Sequence, residues 1–322
     1  MPVILIAQPI AAEGVDLLTA ERFDVRHLAS CDHSSLMAAI KEADALLVRN
    51  ASIDREIIEA GPRLRVISRH GAGLDTIDLA AASENGVRVT YTPAANHVSV
   101  AEHVLGMMLV LAKNMKRADD AVRAGYFDFR HEFYGVELED ATLGIVGLGN
   151  VGRTLAAKAS AGLGMRVIAY DPLVDAPPVD LDIEMVSDLE TLLRGSDFVS
   201  LNVALNRQTA GMIGRDQLAA MKAGSYLVNC SRGEVLVEQE LVDALRSGHL
   251  AGAGVDVFCQ DPPPEDSPLL GLETVIVTPH MAAHTHPAMK RMAVQAAQGV
   301  IEVLTGRPVT WPANEPRERA AL

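Results

Sequence analysis

The segment 142–171, TLGIVGLGNVGRTLAAKASAGLGMRVIAYD, admits few folds, because it joins an apolar run, a glycine turn, an alanine-rich run, a second apolar run and an acid. Gly147, Gly149 and Gly152 are spaced G-x-G-x-x-G. Residues 143–146 read as a strand buried in a parallel sheet, 151–161 as the helix that follows it, and 166–170 as the next strand. In that context each glycine has its own task. Gly147 permits the tight strand-to-helix turn, Gly149 leaves no side chain where a pyrophosphate must approach, and Gly152 lets helix pack on strand. Asn150 and Val151 complete the turn, and the helix N-terminus offers free N–H groups to the phosphates. Asp171 then stands where a carboxylate accepts hydrogen bonds from the adenosine ribose hydroxyls and repels a 2′-phosphate, so NAD is the expected cofactor rather than NADP.

The same alternation extends through the chain. Short β-rich runs at 3–7, 23–27, 45–49, 64–69 and 87–91 are separated by helical patterns, and a second series runs through 166–170, 197–203, 225–229, 253–258 and 274–278. Leu46, Leu47 and Val48 follow one another without polar alternation, as in a strand covered on both faces. A length of 322 residues suggests about two domains. The expected fold class is α/β, with two Rossmann-like doubly wound parallel-sheet domains. A cofactor domain, 99–289, is inserted into a flavodoxin-like substrate domain, 1–98 and 290–322, and the cleft between them is expected to close during reaction. One long helix is expected over 99–123, with Ser99 as N-cap and Glu102 completing a capping box. Another is expected over 287–304, stopped by Gly306 and Pro308. The closing WPANEPRERAAL reads as an exposed tail too short for a further folded module.

Composition narrows the function classes. A formal net charge of −14 argues against a nucleic-acid partner, since polyanion binding draws on clustered Lys and Arg. An anionic substrate would need arginines gathered locally against that field. Hydrophobic residues make up 49% of the chain, yet no uninterrupted apolar run reaches the ~20 residues that span a bilayer, so no membrane partner is expected. The opening MPVILIAQPI lacks a basic region and reads as a first strand, not a signal peptide. Cys31, Cys230 and Cys259 show no C-x-x-C spacing, which points to a reducing, cytoplasmic setting without disulfides or structural zinc.

In a parallel sheet the polar groups that follow the strands share one edge, and ligands bind there. Those groups are the glycine turn, 229–233 (NCSRG), 256–261 (DVFCQD) and 278–280 (TPH). Arginine, carboxylate and histidine beside NAD suit hydride transfer coupled to proton transfer. A histidine can accept the hydroxyl proton of an alcohol and return it to a carbonyl. A neighbouring carboxylate orients the ring and favours its protonated form. An arginine holds a substrate carboxylate through two hydrogen bonds. The substrate implied is a small anionic 2-oxo or 2-hydroxy acid.

Along nearly its whole length the chain resembles the D-isomer-specific 2-hydroxyacid dehydrogenases, in the branch that includes phosphoglycerate dehydrogenase and hydroxypyruvate reductase, as short forms without a regulatory domain. The matching text is RHGAGLDTIDL at 69–79, NHVSVAEH at 96–103, GLGNVG at 147–152, NCSRGEV at 229–235, GVDVFCQDPPP at 254–264 and TPHMAAHT at 278–285. The resemblance implies a catalytic set of Arg232, Asp261 and His280, with backbone around Gly71, Ala72 and Gly73 on the substrate carboxylate. It further implies that Asp256 receives the nicotinamide carboxamide, that Arg49 and Arg69 approach a terminal anion, and that the chain dimerises through the 99–123 region. Departures are visible. Asp261 stands where the family usually has glutamate, shorter by about 1.5 Å of reach; Asn202 and Ala204 replace the usual His and Pro; and Ala283-His284 replaces a small pair.

Alternatives stay open for several groups. Cys230 is either a small residue supporting the cofactor or an activated thiol. Arg49 and Arg69 are either substrate contacts or structural. His280, His284 and His286 are spaced H-x-x-x-H-x-H without a nearby carboxylate or thiolate, so no metal is expected. A different function class remains: an NAD-responsive, non-catalytic interaction protein of the same fold.

Overall fold

In the computed structural model, which describes residues 1–179 and 181–317, the apolar runs form two all-parallel sheets. The first contains β1 (Val3–Ile6), β2 (Asp24–His27), β3 (Ala45–Val48), β4 (Val66–Arg69) and β5 (Arg88–Thr90), ordered β2-β1-β3-β4-β5. Leu5, Leu46, Val48 and Ile67 enter one apolar cluster, while Ile4, Ile6, Ala45, Leu47 and Val66 enter another. Successive residues of one strand therefore point to opposite faces and are buried on both, which is why these strands show no polar alternation.

The second sheet contains β6 (Thr142–Val146), β7 (Arg166–Tyr170), β8 (Glu184–Met185), β9 (Phe198–Leu201), β10 (Ser225–Asn229), β11 (Leu250–Val255) and β12 (Val275–Val277). Its order is β12-β11-β10-β9-β6-β7-β8. The chain reverses its direction of growth between β6 and β9, and the carboxyl ends of those strands mark the switch point where open α/β sheets bind ligands. At the opposite, amino ends of β9 and β10, Phe198 and Tyr226 stack at 4.8 Å between ring centroids, worth about 1 kcal/mol beyond the area they bury.

The sheets belong to two compact units, residues 1–96 with 284–317 and residues 97–283. The divisions fall at 96/97 and 283/284, not at the expected 98/99 and 289/290. The first shifts because its helix begins at His97, and the second because the helix His286–Thr305 packs wholly within the first unit, against Ala12–Ala20 and β4. Thr285 caps that helix by accepting from the Ala288 N–H, and Gly306 ends it at φ 73°.

The expected helix 99–123 is two helices, His97–Ala112 and Met115–Arg123, bent by 60° where Asn114 takes a left-handed φ of 50°. Ser99 is buried inside the first of them instead of capping it, and Glu102 pairs with Lys158 at 2.9 Å. Among the described residues no single helix is long and apolar enough to cross a membrane.

The C-terminal segment is also not a free tail as far as residue 317. Tyr91 and Ala313 N–H groups exchange bonds with Trp311 and Val89 carbonyls, the Asn314 side chain accepts from the Val89 N–H at 2.7 Å, and Arg317 N–H reaches Ser83 O. It covers the open edge of β5, which would otherwise present unpaired backbone groups. Residues 318–322 of the expected tail lie outside the described residues.

Candidate active site

In the second unit the glycine turn has the shape its sequence demands. Gly147 has φ 96°, and a Cβ there would stand 2.8 Å from the Asn202 carbonyl oxygen; one on Gly152 would stand 2.2 Å from Gly147 O. A Cβ on Gly149 would meet nothing within 4 Å, so that position leaves open space. Gly149 is also the N-cap of the helix Asn150–Leu163 and, having no side chain, places none over the first N–H groups of the helix, which opens with Asn150 and Val151. Asp171, at the end of β7, accepts from Leu148 N–H at 2.8 Å and Leu173 N–H at 2.9 Å. Its carboxylate thus pins the turn while each oxygen retains a lone pair for a ribose hydroxyl. The Arg153 side chain adds a bond to Leu148 O at 2.9 Å. These residues fit a dinucleotide on both counts tested: room over Gly149 and a fixed acid at Asp171.

The groups after β10, β11 and β12 form one connected structure. Asn229 accepts from the Ser231 N–H and hydroxyl through Oδ1 and donates to Arg232 O through Nδ2 at 2.9 Å, winding the loop that carries Arg232. Arg232 Nη1 donates to Ser231 O at 2.8 Å. Asp256 is buried, and its carboxylate accepts from the Thr278 hydroxyl at 2.5 Å, Met281 N–H at 2.8 Å and Ala282 N–H at 2.9 Å. Its backbone carbonyl takes the His280 N–H at 2.8 Å. These bonds hold His280 at φ 50°, a left-handed conformation costly for a residue with a Cβ. His280 Nδ1 lies 2.8 Å from Asp261 Oδ2. The shorter acid therefore reaches the ring, and the loop accommodates the missing methylene. A carboxylate only accepts, so Nδ1 carries the hydrogen and Nε2 is left to exchange a proton.

Cys230 is partly buried with its Sγ 3.9 Å from Met107 Sδ; burial, and then the nearby Asp256 charge, push its thiol upward, so it is a neutral packing group and not an activated nucleophile. Residues 105–282 match the family described as D-isomer specific 2-hydroxyacid dehydrogenase, NAD binding domain. The chain belongs to this 2-hydroxyacid dehydrogenase family. It is 41% identical to D-3-phosphoglycerate dehydrogenase of Mycobacterium leprae over 98% of its own length and 59% of the relative. It is 39% identical to hydroxypyruvate reductase of Thermotoga maritima over 92% of its own length and 96% of the relative. The structure of D-lactate dehydrogenase from Aquifex aeolicus, complexed with NAD and lactic acid, superposes with a TM-score of 0.85 at 30% identity, covering 94% of this chain and 96% of that one. The chain thus spans about three-fifths of the phosphoglycerate dehydrogenases it matches.

The remaining candidates lie in the first unit, at the carboxyl ends of β3 and β4. Arg69 is buried, and its guanidinium donates to Gly73 O, His70 O and Asn50 Oδ1 at 3.0, 3.0 and 3.4 Å. These bonds brace the Gly71-Ala72-Gly73 loop, the structural one of the two roles open to Arg69. Gly71 adopts φ 151°, and a Cβ there would stand 3.2 Å from Arg69 Nη1. Ala72 is exposed and Gly73 partly so, which leaves their backbone accessible. Arg49 is half-buried, with Nη1 on Pro9 O at 3.0 Å and Nη2 3.3 Å from His284 Nε2.

Sequence reasoning overlooked Asn229, Thr278 and His103. The signal for Asn229 was present, since Asn at a strand end before S-R-G favours a side-chain turn. His103, Cys230 and Asp256 bring their potential ligand atoms within 4.8 Å of one another, the one such group among the described residues. Nothing local in the sequence announces this, because the three residues come from a helix and two strand ends.

His70, buried beside these arginines, is pushed down to about 4 by burial first and by the charges of Arg49 and Arg69 next. A histidine lowered in the folded state is neutral there while the unfolded chain takes up a proton near pH 6.5, so stability falls as pH drops from 6.5 toward 4. The loss should approach about 3 kcal/mol. Equilibrium unfolding of wild type and His70→Gln at pH 7 and pH 4.5 should show a smaller pH dependence in the variant; parallel curves would remove His70 from the acid limb.

Proposed function

We propose that the protein is an NAD-dependent oxidoreductase interconverting a D-2-hydroxy acid and its 2-oxo acid. The carrying observation is the His280–Asp261 contact of 2.8 Å on a loop held by Asp256, in the unit that bears the dinucleotide turn. When bound, the nicotinamide supplies or accepts the hydride at C2. His280 Nε2 gives its proton to the developing alkoxide in reduction and takes it back in oxidation, with Asp261 orienting the ring through Nδ1. Arg232 neutralises the substrate carboxylate and draws electron density from the adjoining carbonyl. Asp171 supports NAD over NADP, because a 2′-phosphate would face its carboxylate.

Among acids, hydroxypyruvate and glyoxylate are the favoured substrates. Arg69 is engaged with backbone carbonyls, and Arg49 has part of its guanidinium on Pro9 and His284, so both arginines proposed for a terminal anion already hold protein partners. NADH oxidation should therefore be measured with hydroxypyruvate, glyoxylate, 3-phosphohydroxypyruvate and a sulfonated analogue. Higher kcat/KM for the first two is expected. A strong preference for the phosphorylated acid would overturn the substrate choice, and NADH binding without turnover on any acid would favour a non-catalytic NAD-responsive protein.

A homodimer in the cytoplasm belongs to the same proposal. The helix Met115–Arg123 buries none of its residues, and its Val122 together with Tyr126, Phe127 and Tyr134 beyond it are exposed, an apolar group of the kind that marks an interface. The three free thiols suit a reducing compartment. Sedimentation velocity should give twice the chain mass; a monomer at micromolar concentration would refute the dimer.

A further inference from the structure

We propose that His103 is a positioning residue for proton transfer, fixing the turn that carries His280 through a directed chain of hydrogen bonds, His103 to Thr278 to Asp256. It rests on the reading that His280 Nε2 exchanges the proton. The helix His97–Ala112 anchors His103 between the buried residues Ala101 and Val104. The His103 ring extends to the segment after β12, where Nε2 lies 3.1 Å from Thr278 Oγ1 and 3.7 Å from Asp256 Oδ1.

The direction of the chain follows from counting protons. Thr278 Oγ1 is 2.5 Å from Asp256 Oδ1, and an ionised carboxylate only accepts, so the single hydroxyl proton of Thr278 lies on that bond. Thr278 can then only accept from His103, which places a hydrogen on His103 Nε2. Asp256 Oδ1 simultaneously receives the Met281 N–H, and Oδ2 receives the Ala282 N–H, on the two residues that follow His280. Rotation of the Asp256 carboxylate would therefore release the turn that keeps His280 at φ 50°. Thr278 restrains one oxygen of that carboxylate, and His103 restrains Thr278. The whole path crosses a site of low exposure: Asp256 is 1% and His103 21% exposed in its side chain, so water is a poor substitute for a missing donor.

His103→Leu removes the donor and is expected to lower kcat about tenfold, the scale of one partly buried hydrogen bond, with the Kd for NADH nearly unchanged. His103→Gln, which can present an amide N–H from a similar distance, should restore most of the loss. Thr278→Val should reproduce the loss, and combining it with His103→Leu should add little, since both break one chain. Independently of turnover, long-range 1H–15N spectra of the apo protein should show a hydrogen on His103 Nε2. Wild-type kcat in both His103→Leu and Thr278→Val, additive losses, failure of Gln to restore activity in a stably folded variant, or a His103 whose only hydrogen is on Nδ1 would each overturn the inference. His280→Ala separates it from its foundation: if that variant turns over normally, the proton reading fails and the inference with it, whereas an inactive His280→Ala beside a fully active His103→Leu defeats the inference alone.

Discussion

Replacing His280 by Ala is expected to lower kcat at least about a thousandfold while changing the Kd for NADH less than about threefold. The ring is the group whose free nitrogen, Nε2, remains after Nδ1 is committed to Asp261, and alanine has nothing to exchange a proton with. The dinucleotide turn is organised without it: Asp171 holds Leu148 and Leu173, and Arg153 holds Leu148 from the other side. Single-turnover reduction with saturating NADH reads the chemical step, and a fluorescence titration reads cofactor binding. His280→Asn serves as a second variant, because asparagine tolerates the left-handed backbone of this position and cannot shuttle a proton. If either variant kept a rate within tenfold of wild type, another group would have to carry the proton. If both lost NADH binding together with turnover, the role of His280 would be to shape the cofactor site.

What the sequence disclosed followed local rules. The glycines at 147, 149 and 152 each met the requirement their spacing set, and the strands of both sheets were legible because continuous apolar runs bounded by turns leave few alternatives. The two-residue β8 was not, since a pair of residues carries no period. The break at Asn114 escaped notice because the apolar spacing continues past it and asparagine is only an occasional left-handed residue. Ser99 with Glu102 spelled a capping box, yet the helix starts two residues earlier, Ser99 is buried within it and Glu102 pairs with Lys158. Arg69 shows the limit for site residues. Its type and position at a strand end suit an anion, while its guanidinium also donates to His70 O and Gly73 O of the loop beyond it and to Asn50 Oδ1 after β3, contacts set by backbone geometry that no spacing encodes. Asp261 marks the opposite case, where a shortened side chain left its contact in doubt and the loop closed the distance.

Gly233→Ala should destabilise the second unit by about 3–5 kcal/mol and lower Tm by about 10 °C. A Cβ at this position would stand 2.0 Å from Phe258 C, 2.1 Å from Phe258 O and 2.3 Å from Cys259 N. All three are backbone atoms, so no side-chain rotation relieves the clash; either the turn Gly233–Val235 or the segment after β11 must move. Arg232 is adjacent to the first and Asp261 follows the second, so the shift separates Arg232 from the carboxylate that contacts His280. Loss of kcat by at least about a hundredfold should therefore accompany the fall in Tm, since a displacement near 1 Å in a positioned site costs that much. Gly149→Ala provides the contrast, because its Cβ meets nothing within 4 Å: Tm should stay within about 2 °C of wild type, while NADH binds more weakly over the space the methyl fills. Scanning calorimetry with NADH titration separates the two effects. A Gly233→Ala protein with native Tm and native kcat would mean that the loops bearing Arg232 and Asp261 move independently, and the close approach of their backbones would then have no part in assembling the site.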